Sequence, residues 1–436
     1  MVVSPPMFRA RGLPAIALAT LVCATLALTL APARHASASP LELFGFGGRS
    51  PGMAGAGVAS TEGYDATFLN PAGLALVTRK RATIGGLFGD FSLELDGAQT
   101  DTDRASGLVI GGAVPLPLGG AARDRVGIGF GFQIPTIAIN RARAPYPGDP
   151  VFTLLENRSH VIGLMFSVGV KVKPRLAVGL GVNSLAVLRG GIDVTTDGSG
   201  RFTTQSEQRL LTRFAPILGA RWQWRDDVDV GVVARAPSRS DYDIAVTNDL
   251  SEVLPVTLPP IRIAGAAQYD PLTLAVEAAW QWRPTVALTG HLAWARWSAF
   301  PLPTQNPTTG TPPQEAPGFH DTVIPRLAIE HTRDALGGHF NARAGYAFLW
   351  SPAPEQTGRQ SLLDNHRHLV AAGVGFGWPG RVIPLHVDAW AQLHVLQPRA
   401  HAKDAGRFLP EETPPFDVVE TGGHIIVGGL TVGVDL

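Results

Sequence analysis

Cysteine is almost missing: the 436 residues contain one, Cys23. It sits inside the apolar run 13–31, with further apolar residues after it, and so is not placed where a lipid anchor attaches. A chain cleaved after Ala38 carries no thiol, which excludes disulfides, thiolate catalysis and Cys metal sites. Charge is scarce too, at 17% of residues against about 25% in an ordinary soluble domain. Without Arg9, Arg11 and Arg34, which precede residue 39 where no acid occurs, the 36 basic residues fall slightly below the 36 acidic ones. Nucleic acid needs a basic face and is excluded as a partner. After residue 38 no apolar run approaches the roughly 20 residues of a membrane helix. H-E-x-x-H and P-loop motifs are absent. No cofactor, metal or enzymatic chemistry is expected.

What is present starts with Arg9 and Arg11 ahead of the run 13–31, closed by Ala36-Ser37-Ala38. This reads as a signal peptide over 1–38; the run is also long enough to stay as an uncleaved anchor. Next comes 41–77, rich in Gly and Ala, with no helical or strand period. Such a segment buries no apolar face of its own and needs a container. The container is 81–436, so 39–80 is expected to be a plug.

From residue 81 the period is two. Val126, Ile128, Phe130, Phe132 and Ile134 alternate with Gly127, Gly129, Gly131 and Gln133. Ile162 to Val172 and Leu176 to Val182 repeat the pattern. Strands with one apolar face are implied, at lengths that suit tilted membrane strands. Fourteen are expected, near 81–95, 106–118, 126–140, 158–172, 175–189, 208–224, 228–246, 260–282, 285–299, 322–333, 338–350, 366–378, 382–396 and 423–436. Connections alternate between short (119–125, Lys173-Pro174, 225–227, Arg283-Pro284, 334–337, 379–381) and long (96–105, 141–157, 190–207, 247–259, 300–321, 351–365, 397–422). That alternation is the signature of an all-β, antiparallel transmembrane barrel in a bacterial outer membrane, short turns periplasmic. A closed barrel has no edge that demands a partner, and a monomer in outer-membrane lipid is expected.

The eighth strand switches its apolar parity at Asp270-Pro271, which predicts a bulge within one strand. Trp222, Trp224, Trp280, Trp282 and Trp378 fall at periplasmic strand ends, and Trp294, Trp297 and Trp350 near outer ends, as two interfacial belts. Parity turns Arg213, Arg221, Arg235, Arg262, Glu277, Arg326, Glu330, Arg343, His386, Asp388 and Gln392 into the lumen, since a lipid-facing charge costs about 2–4 kcal/mol. Glycines dominate the inward face of strands two to five, leaving room for the 41–77 plug. His366 with His368, and His386, Asp388 and His394, have the types for a metal site or proton relay; solvated lumenal side chains are the preferred reading.

Gly48-Arg49, 52–59, Asp65-Ala66 and Phe68-Leu69-Asn70-Pro71-Ala72-Gly73-Leu74 resemble the N-terminal hatch of the outer-membrane long-chain fatty acid and aromatic hydrocarbon transporters, the FadL/TodX-like family. The stretches 173–183, 294–298, 343–346 and 366–376 also resemble this family. The resemblance implies a plugged 14-stranded barrel that moves hydrophobic compounds passively. A hydrophobic ligand is caught among the outer loops, passes to a pocket above the hatch and leaves sideways through a gap at a kinked third strand. Carried onto this chain, the hatch motif is Asn70, Pro71, Ala72 and Gly73. The lateral gate is Gln133, Ile134 and Pro135, with Asn70 to Gly73 packed nearby; Pro135 alternatively just ends its strand. Phe152, Leu154 and Leu155 supply loop contacts to ligand. Arg262 or Arg343 could meet a carboxylate, but pairing with Glu277 or Glu330 is favoured. An assembly or secretion-partner barrel is the alternative function.

Overall fold

The computed structural model describes residues 40–137, 149–156, 162–196, 202–249, 261–302, 304–305, 315–378, 384–408, 410 and 413–436. The expected signal peptide lies outside them. The described residues from 40 onward belong to one compact unit.

Fourteen staves build it: β1 (Arg81–Leu95), β2 (Ala105–Pro115), β3 (Val126–Pro135), β4 (Gly163–Lys173), β5 (Leu176–Thr196), β6 (Phe202–Arg225), β7 (Val228–Arg235 and Ser238–Asp249), β8 (Ile261–Asp270 and Thr273–Arg283), β9 (Val286–Ala295), β10 (Thr322–Ala335), β11 (Gly338–Leu349), β12 (Arg367–Trp378), β13 (Leu385–Leu396) and β14 (Val418–Asp435). Each pairs antiparallel with its chain neighbours, and β1 closes on β14 from Arg81↔Asp435 to Leu95↔Thr421. Closure leaves no edge. The parity read from sequence sets the faces: Phe88, Phe166, Leu327, Val370 and Ile426 stand 48–66% exposed on the outside, a surface suited to hydrocarbon.

Several details depart from the expected ones. β5 and β6 run well past their expected ends, because their ladder continues from Leu176↔Trp222 to Thr196↔Phe202. The upper part of β5 also pairs in parallel with β7, from Leu188↔Tyr242 to Thr195↔Asp249. The switch in β8 is a break rather than a bulge alone. Pro271, which has no N–H for a ladder, and Leu272 separate the two segments, and a register shift falls earlier, between Ala266 and Gln268. Trp297 belongs to no belt; it is 6% exposed, in a turn after β9.

Residues 40–77 pack against the inward face around most of the circumference. They form α1 (Pro40–Phe44), a 3-10 turn (Pro51–Met53), α2 (Ala66–Leu69) and a second 3-10 turn (Pro71–Leu76). Asn70 explains the motif around it. Its Oδ1 accepts from the Ala72 N–H (3.1 Å), and its Nδ2 donates to Val58 O (2.7 Å) and to Ala220 O of β6 (3.0 Å). Pro71 starts the turn where no N–H is needed. The wall glycines are sites of close approach: a Cβ on Gly127 would lie 2.0 Å from Leu74 O, and one on Gly179 2.2 Å from the Pro71 carbonyl carbon. Gly219, Gly231 and Gly345 make the same allowance on β6, β7 and β11, beyond the strands where the sequence suggested it.

Gly179→Val should therefore displace the segment, because the opposing atoms are backbone. A loss of about 1–3 kcal/mol is expected, read as a lower Tm in detergent. Barrel formation, read as heat-modifiable gel mobility, should persist.

Candidate functional site

The interior divides into an apolar half toward the long loops and a polar half toward the short turns. At the loop end, Tyr269, Trp297, Phe300 and Phe319 form an aromatic cluster with Val151, Leu154, Ala353 and Leu362. Tyr269 lies 5.2 Å from Phe300 between ring centroids, and Phe300 stacks on Phe319 at 4.4 Å. Below it, Phe152, Leu155 and Leu363 join Leu41, Phe44 and Phe46 of the N-terminal segment and Phe91 of β1 in the main apolar cluster. A narrow cavity of about 30 Å³ follows, lined by Leu41, Phe44, Val58, Phe68, Leu349 and Leu369, with Arg235, His291, Arg326 and Gln392 at its polar edge.

The wall holds the segment by side chains aimed at its backbone. Glu277 of β8, 1% exposed, accepts from the Gly57 N–H (2.8 Å) and the Ala59 N–H (2.9 Å). Its cross-strand partner His291 of β9 bonds the same carboxylate through Nδ1 at 2.9 Å, and Arg326 reaches His291 Nε2 at 2.9 Å. Gln392 of β13 donates to Phe44 O (3.0 Å) and Pro51 O (2.8 Å). Arg235 pairs with Glu42 at 2.8 Å. These bonds answer a physical need, since an irregular buried backbone has polar groups that no ladder satisfies.

At the short-turn end a polar vestibule of about 420 Å³ opens under the segment. Arg49 meets Glu330 at 2.5 Å, Arg343 bonds Glu330 (2.7 Å) and Asp388 (2.5 Å), and Arg81 bonds Asp435 (2.6 Å) with His386 beside it. Burial pushes the Asp65 carboxyl up, with Arg49 pulling the other way.

The expected site residues are dispersed over this interior. Asn70 to Gly73 sit at the short-turn end, whereas Pro135 pairs with Gly107 at the loop end of β3. The two are therefore not packed together: with a rise of about 3.3 Å per residue, the strand between Gly127 and Pro135 keeps them apart. Pro135 is the last residue of β3, not a kink within it, and the ladder to β4 is unbroken from Val126↔Val170 to Gln133↔Gly163. Gln133 is buried, and its Oε1 has no partner among the described residues. Phe152, Leu154 and Leu155 are 0–3% exposed, core residues rather than an open loop surface. Arg262, 59% exposed, pairs at 2.7 Å with Asp243 on β7 rather than with Glu277 or Glu330. Arg343 takes Glu330, while Glu277 takes His291 and backbone.

The histidines of the sequence motifs have separate partners: His366 accepts from the Ser351 N–H (2.9 Å), His368 meets the Tyr346 hydroxyl (2.8 Å), and His394 lies edge-on to Phe44. Among the described residues no group of three His, Cys, Asp or Glu side chains is placed to hold a metal. The spacing Gly48-x-Ser50-x-Gly52 is that of a nucleophile elbow, but Ser50 precedes a 3-10 turn and is 1% exposed. Sequence reasoning missed His291, whose signal was available as the position facing Glu277 in the β8–β9 register.

Comparison with known proteins agrees with this architecture. No protein-family model and no curated protein matches the chain. Among solved structures, a FadL homologue from Pseudomonas aeruginosa aligns over 89% of this chain and 97% of its own, at 14% identity and a TM-score of 0.57. The Ralstonia pickettii toluene transporter TbuX aligns over 90% and 99%, at 15% identity and 0.52. The Pseudomonas putida toluene transporter TodX covers the same shares at 12% identity and 0.55. The chain is a closed 14-stranded antiparallel barrel, FadL/TodX-like in fold.

Two outcomes are expected. Glu277→Ala leaves the Gly57 and Ala59 N–H groups unpaired, at about 1–3 kcal/mol each, so their amide hydrogen exchange should accelerate selectively. His401, in the outer strand Arg399–Ala402, is held down to about 4 by burial, then by Arg399 and Lys403. Its Nδ1 accepts from the Gln356 N–H at 3.2 Å. A folded value below the unfolded one, about 6.5, means stability is intact above pH 6.5 and declines as pH falls toward 4. Proteolysis within 351–365 should quicken over that window, and His401→Gln should flatten the profile.

Proposed function

We propose that this protein is an outer-membrane barrel for passive transport of hydrophobic compounds, with residues 40–77 as its plug. The observation that carries the reading is the pair of apolar clusters stacked in the loop half of the interior. One holds Tyr269, Trp297, Phe300 and Phe319, and the other packs Phe152, Leu155 and Leu363 against Phe44 and Phe46 on the plug. Apolar cargo leaving water gains about 25 cal/mol per Å² of surface buried against such clusters, and no energy source is needed for movement down a gradient. The structures it resembles are described as a FadL homologue and toluene transporters, which supports long-chain fatty acids or hydrocarbons as cargo. Cargo is caught at the aromatic cluster and passes between the apolar side chains around Phe44 and Phe68, which part to admit it. It is released sideways at the loop end of β3, where the ladder to β4 ends at Gln133 and Gly163. The polar vestibule, crossed by ion pairs, is a poor route for such molecules.

The test is uptake of labelled oleate, hexadecane and toluene by an outer-membrane host lacking its own such transporter. Wild type is compared with Phe300→Asp and with Pro135→Val, which restores a backbone N–H at the end of β3. Uptake of one class, reduced about tenfold or more by Phe300→Asp, is the expected result. Uptake unchanged by Pro135→Val would remove the exit from β3. No uptake by a correctly inserted barrel would favour an assembly or secretion role.

A further inference from the structure

Two outer segments lie across the apolar path and are tied to each other, and Asn365 anchors the end of the second to Thr421 of β14 (2.8 Å). Residues 151–156 make a compact turn: the Leu155 N–H donates to Phe152 O (2.9 Å), and the Glu156 N–H to the same oxygen (3.0 Å). Val151 forms a parallel bridge with Leu362. Its N–H donates to Ser361 O (3.1 Å), and its O accepts from the Leu363 N–H (2.9 Å). Phe152, Leu155 and Leu363, each 0% exposed, point into the main apolar cluster, while Val151, Leu154 and Leu362 belong to the aromatic one. The pair of segments thus fills with its own side chains the space between the two apolar regions.

The outer side of the pair is held by polar groups from residues 315–320 and 399–407: Gln360 Nε2 donates to Glu315 O, the His320 N–H to Pro352 O (3.0 Å), and Arg399 to Ala353 O (2.8 Å) and Asp364 O (3.3 Å). Lys403 Nζ donates to Gly358 O (2.7 Å), Gln360 O (2.7 Å) and Ser361 Oγ (3.2 Å). An ammonium has three donors, and all three are spent on residues 358–361. The same Nζ lies 4.7 Å from the Phe416 ring centroid. Gln356 ties in beside it, accepting from the Leu362 N–H at 3.1 Å while its own N–H donates to His401.

We propose that residues 149–156 and 351–365 move together as a lid over the cargo path, and that Lys403 is the positioning residue that holds the lid shut. The division of contacts supports this: apolar contacts face inward, where cargo replaces them in kind, and the restraints on the outer side are hydrogen bonds, of which Lys403 alone makes three to residues 358–361. Cargo entering under the lid exchanges apolar neighbours for apolar neighbours, so lifting costs chiefly the polar restraints. The inference rests on the transport reading, and the experiment separates the two.

Two variants of a chain with Cys23→Ala test it. The first is Leu363→Cys, with and without Lys403→Met, which keeps an apolar stem over Phe416 but loses the donors. Maleimide added outside the cell should label the Lys403→Met form about tenfold faster, the effect of losing restraints of this kind. Equal rates overturn the role of Lys403. The second is the pair Val151→Cys and Leu362→Cys, whose bridge spacing suits a disulfide. With the bond formed, uptake of the transported tracer should fall at least tenfold and return on reduction. Full crosslinking with undiminished uptake overturns the lid while transport stands. A wild-type barrel that takes up nothing, with labelling still accelerated by Lys403→Met, supports the latch and sinks the transport reading.

Discussion

Everything inside this barrel depends on one requirement: an irregular segment buried in a closed sheet must find partners for its backbone polar groups. The barrel ladder uses the wall's own N–H and C=O groups, so side chains have to serve. Glu277 receives two N–H groups of the segment, Gln392 gives to two carbonyls, and Asn70 ties two parts of the segment to β6. The charged members of this set are not left alone. Glu277 meets His291, and Arg49, Glu330, Arg343 and Asp388 form one chain of ion pairs. Removing one member of such a buried set costs more than the pair contributes, because the survivor stays buried without a partner.

The same requirement explains where glycine is spent. The segment touches the wall at backbone distance, and a methyl group at Gly127, Gly179 or Gly219 would overlap atoms of residues 70–74. Close contact on the polar side leaves the apolar side to the loops, which supply the aromatic cluster and the buried Phe152, Leu155 and Leu363. The interior is polarised along its axis, and that polarity is what the functional reading uses.

Much of the wall was legible because a strand with one face in lipid and one in a lumen writes its period into the sequence. The parity of residues 126–134 and 176–182, the short turns and the inward Glu277 and Arg343 were all visible in this way. The misreadings share another cause, contacts set by register or by loops rather than by period. His291 matters because the β8–β9 register faces it to Glu277. Arg262 pairs with Asp243, not with Glu277 or Glu330, because the β7–β8 register puts Asp243 within reach. Phe152 and Leu155 looked like an exposed ligand surface. They are buried because a second loop bridges back to Val151, a long-range contact no local pattern announces. Pro135 showed that a ladder lacks an N–H there, but whether it kinks or ends the strand depends on the length of β4.

The central claim is a barrel closed to water and ions by its own N-terminal segment yet lined for apolar cargo. Single-channel conductance of the purified full chain in a planar lipid bilayer tests it most directly. The account predicts insertion without steady open-pore current, since residues 40–77 meet the wall around most of its circumference. A stable ohmic conductance of the size of a water-filled porin would contradict it.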